Sequence, residues 1–306
     1  MTSQYAKISV LDPIAPALER VKTILFKPFD LGKWFVIGFC AWLAYLGKGG
    51  GGGGNGPNFH RNVKPDQALD QAKHFITENL VWIVPVAIFV VMLIVVLWLV
   101  LTWLSSRGRF MFLHCVAQNK AEVKNPWTKF RQHANSLFLF RIVLGMIGFL
   151  AVVLPILLGI IALIAVFSAA PHVGIVLGLV MLAMVLFVVS IVLLLISKFT
   201  MDFVVPIMFL RTTSCTAAWR EFLTLLSANK ARFAIYILFQ ILIKMCISVI
   251  VLAAMCVTCC CACCLLSIPY IGTVLLLPIL VFERSYSLHY VRQFGPQFDV
   301  FSDETA

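Results

Sequence analysis

Acidic side chains are scarce in this chain. Its 306 residues contain 13 Asp and Glu against 24 Lys and Arg, and all charged residues together make up 12%. A soluble domain carries about 25% charged residues, so a soluble globular fold is excluded. Catalytic patterns are missing too. The sequence has no G-x-S-x-G, no H-E-x-x-H, no Walker loop and no paired acids with a nearby His. Nothing supports an enzyme, and no cofactor or metal motif is legible. The net charge of +11 comes without any nucleic-acid recognition motif, so nucleic acid is not an expected partner.

What is present is apolar sequence. Hydrophobic residues make up 61%, and a helix needs roughly 20 of them to cross a hydrocarbon core. Six stretches qualify: 34–47 (short, extended by 28–33), 80–104, 137–167, 173–197, 233–252 with an apolar continuation to 266, and 268–282, which runs on towards Tyr290. Their apolar character is all-round rather than one-sided, which separates them from helices of a soluble core. Asp12, Pro13 and Glu19 stand where the apolar region of a signal peptide would lie. The first span is therefore expected to remain in the mature chain.

Lysine and arginine set the expected orientation. Eighteen fall in the N-terminal segment, the second and fourth connections and the tail. Four fall in the first connection (Lys48, Arg61, Lys64 and Lys73), and none in the third or fifth. Arg141 and Lys244 lie inside spans. Both termini are thus expected in the cytoplasm, with six spans between them.

The chain reads as one membrane domain, 1–306, built from three two-helix repeats at approximately 14–120, 121–215 and 216–295. Each repeat opens with a basic amphipathic segment, expected as an interfacial helix at 15–26, 126–136 and 217–228. Leu18, Val21, Ile24 and Leu25 share a face in the first. Trp127, Phe130, Ala134 and Leu137 do so in the second, and Trp219, Phe222, Leu223 and Leu226 in the third. Such faces fit anionic headgroups on the cytoplasmic side. A second sign of repetition is Arg109-x-x-x-Leu113-His114-x-Val116-x-Gln118, which recurs as Arg284-x-x-x-Leu288-His289-x-Val291-x-Gln293. The middle repeat, around Asp202 to Leu210, keeps the place but not the letters. Mitochondrial carriers also have three two-helix repeats, but their Pro-x-acidic-x-x-basic pattern is missing here.

The first outer connection, 48–64, carries the glycine tract 49–54 and reads as a flexible tether. It lacks the flanking strand and Gly-Lys-Ser/Thr of a phosphate loop. Cys256, Cys259, Cys260, Cys261, Cys263 and Cys264 crowd the end of the fifth span. Three readings stand for them: small apolar packing residues, a disulfide at an oxidising face, or metal or redox chemistry.

Polar residues inside apolar spans are the usual pointers to function. Lys244 reads either as a partner for an anionic solute, a headgroup or an acid, with Asp202 the nearest candidate, or as a snorkelling side chain. Arg141 is near a span end and reads first as a snorkeller. His114 and His289 recur in the repeat and read as interfacial packing, or as headgroup or proton-handling groups.

Three stretches carry a family resemblance. They are Pro28-Phe29 with Lys33-Trp34-Phe35-Val36-Ile37-Gly38-Phe39 and Ala41-Trp42-Leu43; Asp202-Phe203-Val204-Val205-Pro206-Ile207-Met208 leading to Ala218-Trp219; and Pro269-Tyr270-Ile271-Gly272-Thr273 with Leu277-Pro278, closing at Gln293-Phe294-Gly295-Pro296. The chain resembles a group of uncharacterised bacterial multi-pass inner-membrane proteins. Its architecture is similar to the membrane domain attached to some glycerophosphodiester phosphodiesterases, without their catalytic domain. The resemblance implies an inner-membrane location and brings no activity or functional residues with it. Two functions are expected from the whole reading: a non-enzymatic protein that engages lipid or supports membrane assembly, or a small permease with Lys244 in the translocation path. Neither fixes an oligomeric state or a protein partner.

Overall fold

The computed structural model describes residues 8–46, 80–168, 172–258, 266 and 268–301. The connection 48–64 with its glycine tract, and five of the six clustered cysteines, lie outside them. Cys256 is described and exposed. Among the described residues every regular element is helical. In order these are α1 (Ile14–Leu25), α2 (Leu31–Tyr45), α3 (Leu80–Gln118), α4 (Lys124–Lys129), α5 (Arg131–Ser168) and α6 (His172–Phe199). A π-helical turn (Thr200–Val204) leads into α7 (Val205–Arg211), followed by α8 (Cys215–Ala228), α9 (Lys230–Val257), α10 (Pro269–Leu275) and α11 (Leu277–Arg292).

Four helical segments are long and apolar enough to cross a membrane: Val81–Gln118, Arg131–Ile160, Val180–Arg211 and Lys230–Val257. They cover the second to fifth of the expected spans. The first and last are shorter. Helix α2 has 15 residues, about 22 Å at 1.5 Å per residue, against a core of about 30 Å. The last is divided at Leu276, where α10 stops and Leu277-Pro278 opens α11.

The amphipathic segments form helices, but their apolar faces are turned onto the protein. In α1 the buried residues are Ala17, Val21, Ile24 and Leu25, while Leu18 is exposed. This face lies against α11. In α8 the buried residues are Cys215, Ala218 and Phe222, and Leu223 is exposed. Helix α8 sits on the π turn and α7. The second segment is divided rather than continuous. Helix α4 ends at Lys129, Phe130 closes it by donating its amide to the Pro126 carbonyl at 3.2 Å, and α5 begins at Arg131. Phe130 is drawn into the core, stacked on Phe110 at 5.9 Å and Phe209 at 4.8 Å.

The core occupies one end of the bundle. It takes in Phe110–Ala117 of α3, Phe203–Met208 around the π turn, Phe233 and Tyr236 of α9, and Leu277–Val291 of α11. The most apolar windows of the four long helices are almost unburied, at 0, 0, 0 and 6%. An aromatic cluster joins the core elements. The Phe203 ring lies 5.2 Å from Phe222, 5.1 Å from Phe233 and 5.0 Å from Tyr236, and Tyr236 lies 4.5 Å from Tyr290. Such pairs contribute about 0.5–1.5 kcal/mol each beyond their buried area. The termini close on each other there. The Ser9 amide donates to Gln293 Oε1 at 2.8 Å, and Gln293 Nε2 donates to the Ser9 carbonyl at 2.9 Å.

Helices α2 and α3 cross at Gly108. A Cβ there would lie 2.5 Å from the Ala44 nitrogen and 2.5 Å from the Leu43 carbonyl carbon, both main-chain atoms that cannot swing away. The missing side chain sets the crossing distance. Gly108→Val is expected to destabilise the protein by about 1–3 kcal/mol or more, as overpacking does. Gly178→Ala, with nothing within 4 Å of the added carbon, serves as control. Thermal unfolding in detergent checks this, and a Gly108→Val variant melting with the wild type would refute the close crossing.

Candidate functional site

The site begins with a backbone irregularity. In the π turn the Val205 amide donates to the Thr200 carbonyl, a five-residue step, instead of to Met201 four residues back. The five-residue donor to the Met201 carbonyl would be residue 206, which is proline and has no N–H. The Met201 carbonyl is thereby left without a helical partner. Arg284 Nη1, from α11, donates to it at 2.6 Å. Single-turn π segments occur often at functional sites; here one proline and one arginine account for it.

Arg109 does a related job on α2. Its Nε donates to the Ala44 carbonyl at 3.3 Å, and Ser105 Oγ donates to the same oxygen at 2.8 Å. Ala44 is in the last turn of α2, where carbonyls lack helical donors and a cation meets the negative end of the helix. Arg109 also contacts Met201 Sδ through Nη1. The two arginines that head the recurring ten-residue motif therefore converge on one residue of the π turn.

Asp202, the next residue, closes a ring of four side chains. Lys198 Nζ lies 2.7 Å from Asp202 Oδ2 and donates to Gln240 Oε1 at 3.3 Å. Gln240 Nε2 donates to the Tyr236 hydroxyl at 3.2 Å, and that hydroxyl donates to Asp202 Oδ2 at 3.0 Å. The Asp202 side chain is thus bound through Oδ2 by both a cation and a phenol.

These groups wall a cavity of about 100 Å³. Arg109, Lys198, Lys244 and Arg284 line it on the cationic side, Asp202 and Glu283 on the acidic side, with Tyr45, Phe112 and Met201 between them. The formal balance is +2. Lys244 is exposed and stands at the rim. Among the described residues it makes no hydrogen bond or ion pair; the acid it was expected to meet, Asp202, shares the cavity but takes Lys198 as its cation.

The other expected residues lie elsewhere. His114 is buried between Phe130 and Phe209, with ring centroids 6.1 and 6.3 Å away. His289 stacks on Phe301 at 4.5 Å. Arg141 lines a separate apolar cleft of about 300 Å³ with Leu97, Trp98 and Leu101. Its Nη1 donates to the Thr102 carbonyl at 3.3 Å and Ser106 Oγ at 3.1 Å, tying α5 to α3. Sequence reasoning missed Arg109, Arg284, Lys198, Tyr45, Tyr236 and Gln240. For the arginines a signal existed, since both open the repeated motif, but the histidines drew the attention. For the others there was none, because their meeting depends on the π turn.

Residues 8–281 match a family model described as a family of unknown function, DUF7544. The chain belongs to that family. No curated protein and no solved structure matches it. The match covers the π turn but stops short of Glu283, Arg284 and Ser287, the cavity lining that α11 supplies.

If Pro206 is what frees the Met201 carbonyl, the two positions are coupled. Arg284→Met is expected to cost about 1.5–3 kcal/mol, as loss of a charged hydrogen bond does. In a Pro206→Ala background, where an amide at 206 can serve Met201, the loss should shrink by about 1 kcal/mol or more. Denaturant unfolding of the double-mutant cycle measures this. Equal losses in both backgrounds would show that the carbonyl is not the link.

Proposed function

We propose that this is a polytopic inner-membrane protein with six spans in three two-helix repeats, both termini in the cytoplasm, and a non-enzymatic role in engaging anionic lipid or supporting assembly in the membrane. The observation that carries the reading is the division of labour in the amphipathic helices. Their apolar faces are buried on the protein, while Lys22, Lys27, Lys124, Lys129, Arg131 and Arg220 stay exposed around the same end. Cations kept at a bilayer edge attract anionic headgroups by about 1 kcal/mol each. The 18-to-4 division of lysine and arginine supports the orientation.

The permease reading has one specific observation in its favour, that Lys244 and Asp202 face one cavity. Against it, no described residue from the exposed apolar half of α3 lines the cavity. This favours a local site over a path through the bundle.

Cysteine labelling at Asn55 and Asn125 tests the orientation, and modification of both from one side would rule it out. Replacing Lys22, Lys27, Lys129 and Arg131 together by Gln is expected to lower retention of anionic over zwitterionic lipid at least tenfold in native mass spectrometry. An unchanged lipid preference would remove the lipid-engaging reading.

A further inference from the structure

We propose that the cavity at the π turn is a binding site for a phosphate-class oxyanion, either free or carried as a lipid headgroup. The proposal rests on the membrane reading above, and deepens it by naming an internal site distinct from the exposed basic face.

The argument starts from how the cations are held. Lys198 and Asp202 neutralise each other at 2.7 Å. The remaining cations, Arg109, Lys244 and Arg284, face one acid, Glu283. The arginines are not fixed by carboxylates. Arg109 is held by the Ala44 carbonyl and Arg284 by the Met201 carbonyl. A carbonyl orients a guanidinium but leaves its full charge in place. Structural ion pairs would have cancelled that charge; here two positive forks are held by carbonyls, and the acids that share their cavity are Asp202, already paired with Lys198, and Glu283. Holding such groups together costs like-charge repulsion in a poorly solvated site, and an anion between them removes it.

Donor capacity points the same way. Among the described residues Arg284 uses Nη1 alone, leaving Nε and Nη2 without protein partners. Lys244 and the Tyr45 hydroxyl have no hydrogen-bond partner there either. Two guanidinium forks, an ammonium and a phenol offer donors from several directions. That arrangement fits a tetrahedral oxyanion better than a planar carboxylate. The volume of about 100 Å³ leaves space for such a group in place of a few waters, each of which takes about 30 Å³ of liquid. The surplus charge of two, after Glu283 is counted, matches a phosphomonoester at −1.5 to −2 more closely than a phosphodiester.

The experiment uses the full chain in a nonionic detergent. Thermal unfolding is followed while inorganic phosphate, dihexanoyl phosphatidic acid, dihexanoyl phosphatidylglycerol or dihexanoyl phosphatidylcholine is added, with chloride matching ionic strength. Saturable stabilisation by phosphate, by phosphatidic acid or by both is expected, stronger than by phosphatidylglycerol and absent with phosphatidylcholine. Stabilisation by phosphate alone identifies a free anion, and by phosphatidic acid alone a headgroup; either supports the site. Lys244→Met should weaken the apparent affinity about tenfold or more, Lys244→Arg should retain most of it, and Lys230→Met, exposed at the start of the same helix, should leave it unchanged. The inference is overturned if neither phosphate nor phosphatidic acid stabilises the wild type beyond chloride, or if Lys244→Met binds as the wild type does. Loss of lipid preference in the fourfold surface variant with phosphate binding intact, or the reverse, separates the fate of this site from that of the basic face.

Discussion

Main-chain carbonyls that a helix cannot satisfy must find a donor when water is excluded, and this constraint organises the core of the molecule. Two helices break their own ladders there: α2 by ending at Tyr45, and α6 by slipping into a π turn before Pro206. Each break exposes an oxygen, and each is met by an arginine from a different helix. Because Arg109 comes from α3 and Arg284 from α11, the two carbonyls draw four chain segments to one point. The aromatic packing of Phe203, Phe222, Phe233 and Tyr236 surrounds that point, and the Asp202 ring is suspended from the same turn. A buried hydrogen bond to a charged donor stabilises by about 1.5–3 kcal/mol, but leaving the oxygen bare would cost a comparable desolvation penalty as well. The arrangement is therefore a requirement of the fold before it is a feature of any site.

The fold was legible where the signal was local. Four apolar runs became long helices because 3.6-residue geometry needs only length and the absence of charge. The first and third amphipathic segments became helices at nearly the expected limits, since their periodicity is encoded within a dozen residues. Which residues face inward was less legible. Leu18 and Leu223 belong to the apolar stripes by spacing yet are exposed, because the surface that receives each helix is narrower than the stripe. The break at Phe130 was not legible at all; it follows from the ring reaching Phe110 and Phe209, which are distant in sequence.

The site divides along the same line. Lys244 and Asp202 stood out because a charge in an apolar run is costly wherever it ends up. Tyr236 and Gln240, by contrast, look ordinary on α9, and only the π turn brings Asp202 to them. Proline breaks helices in general. That Pro206 would orphan one named carbonyl, and that the donor would come from 83 residues away, required the three-dimensional arrangement. The recurrence of arginine at 109 and 284 was in plain sight, but a repeat reports shared descent or shared position; it does not say which letter touches what.

One consequence follows from the core lying at a single end. The most apolar windows of α3, α5, α6 and α9 are almost unburied, although α5 packs beside both α3 and α6, so in a bilayer most of their surface would meet lipid. Apolar helices accommodate bilayer thickness by tilting, and for α3 and α6 the carbonyl–arginine junctions lie at the packed end of the helix. In a bilayer, thickness would act on such helices as a load on a set of levers. The fulcrum is the π turn, where a small rotation changes the spacing between two fixed positive charges.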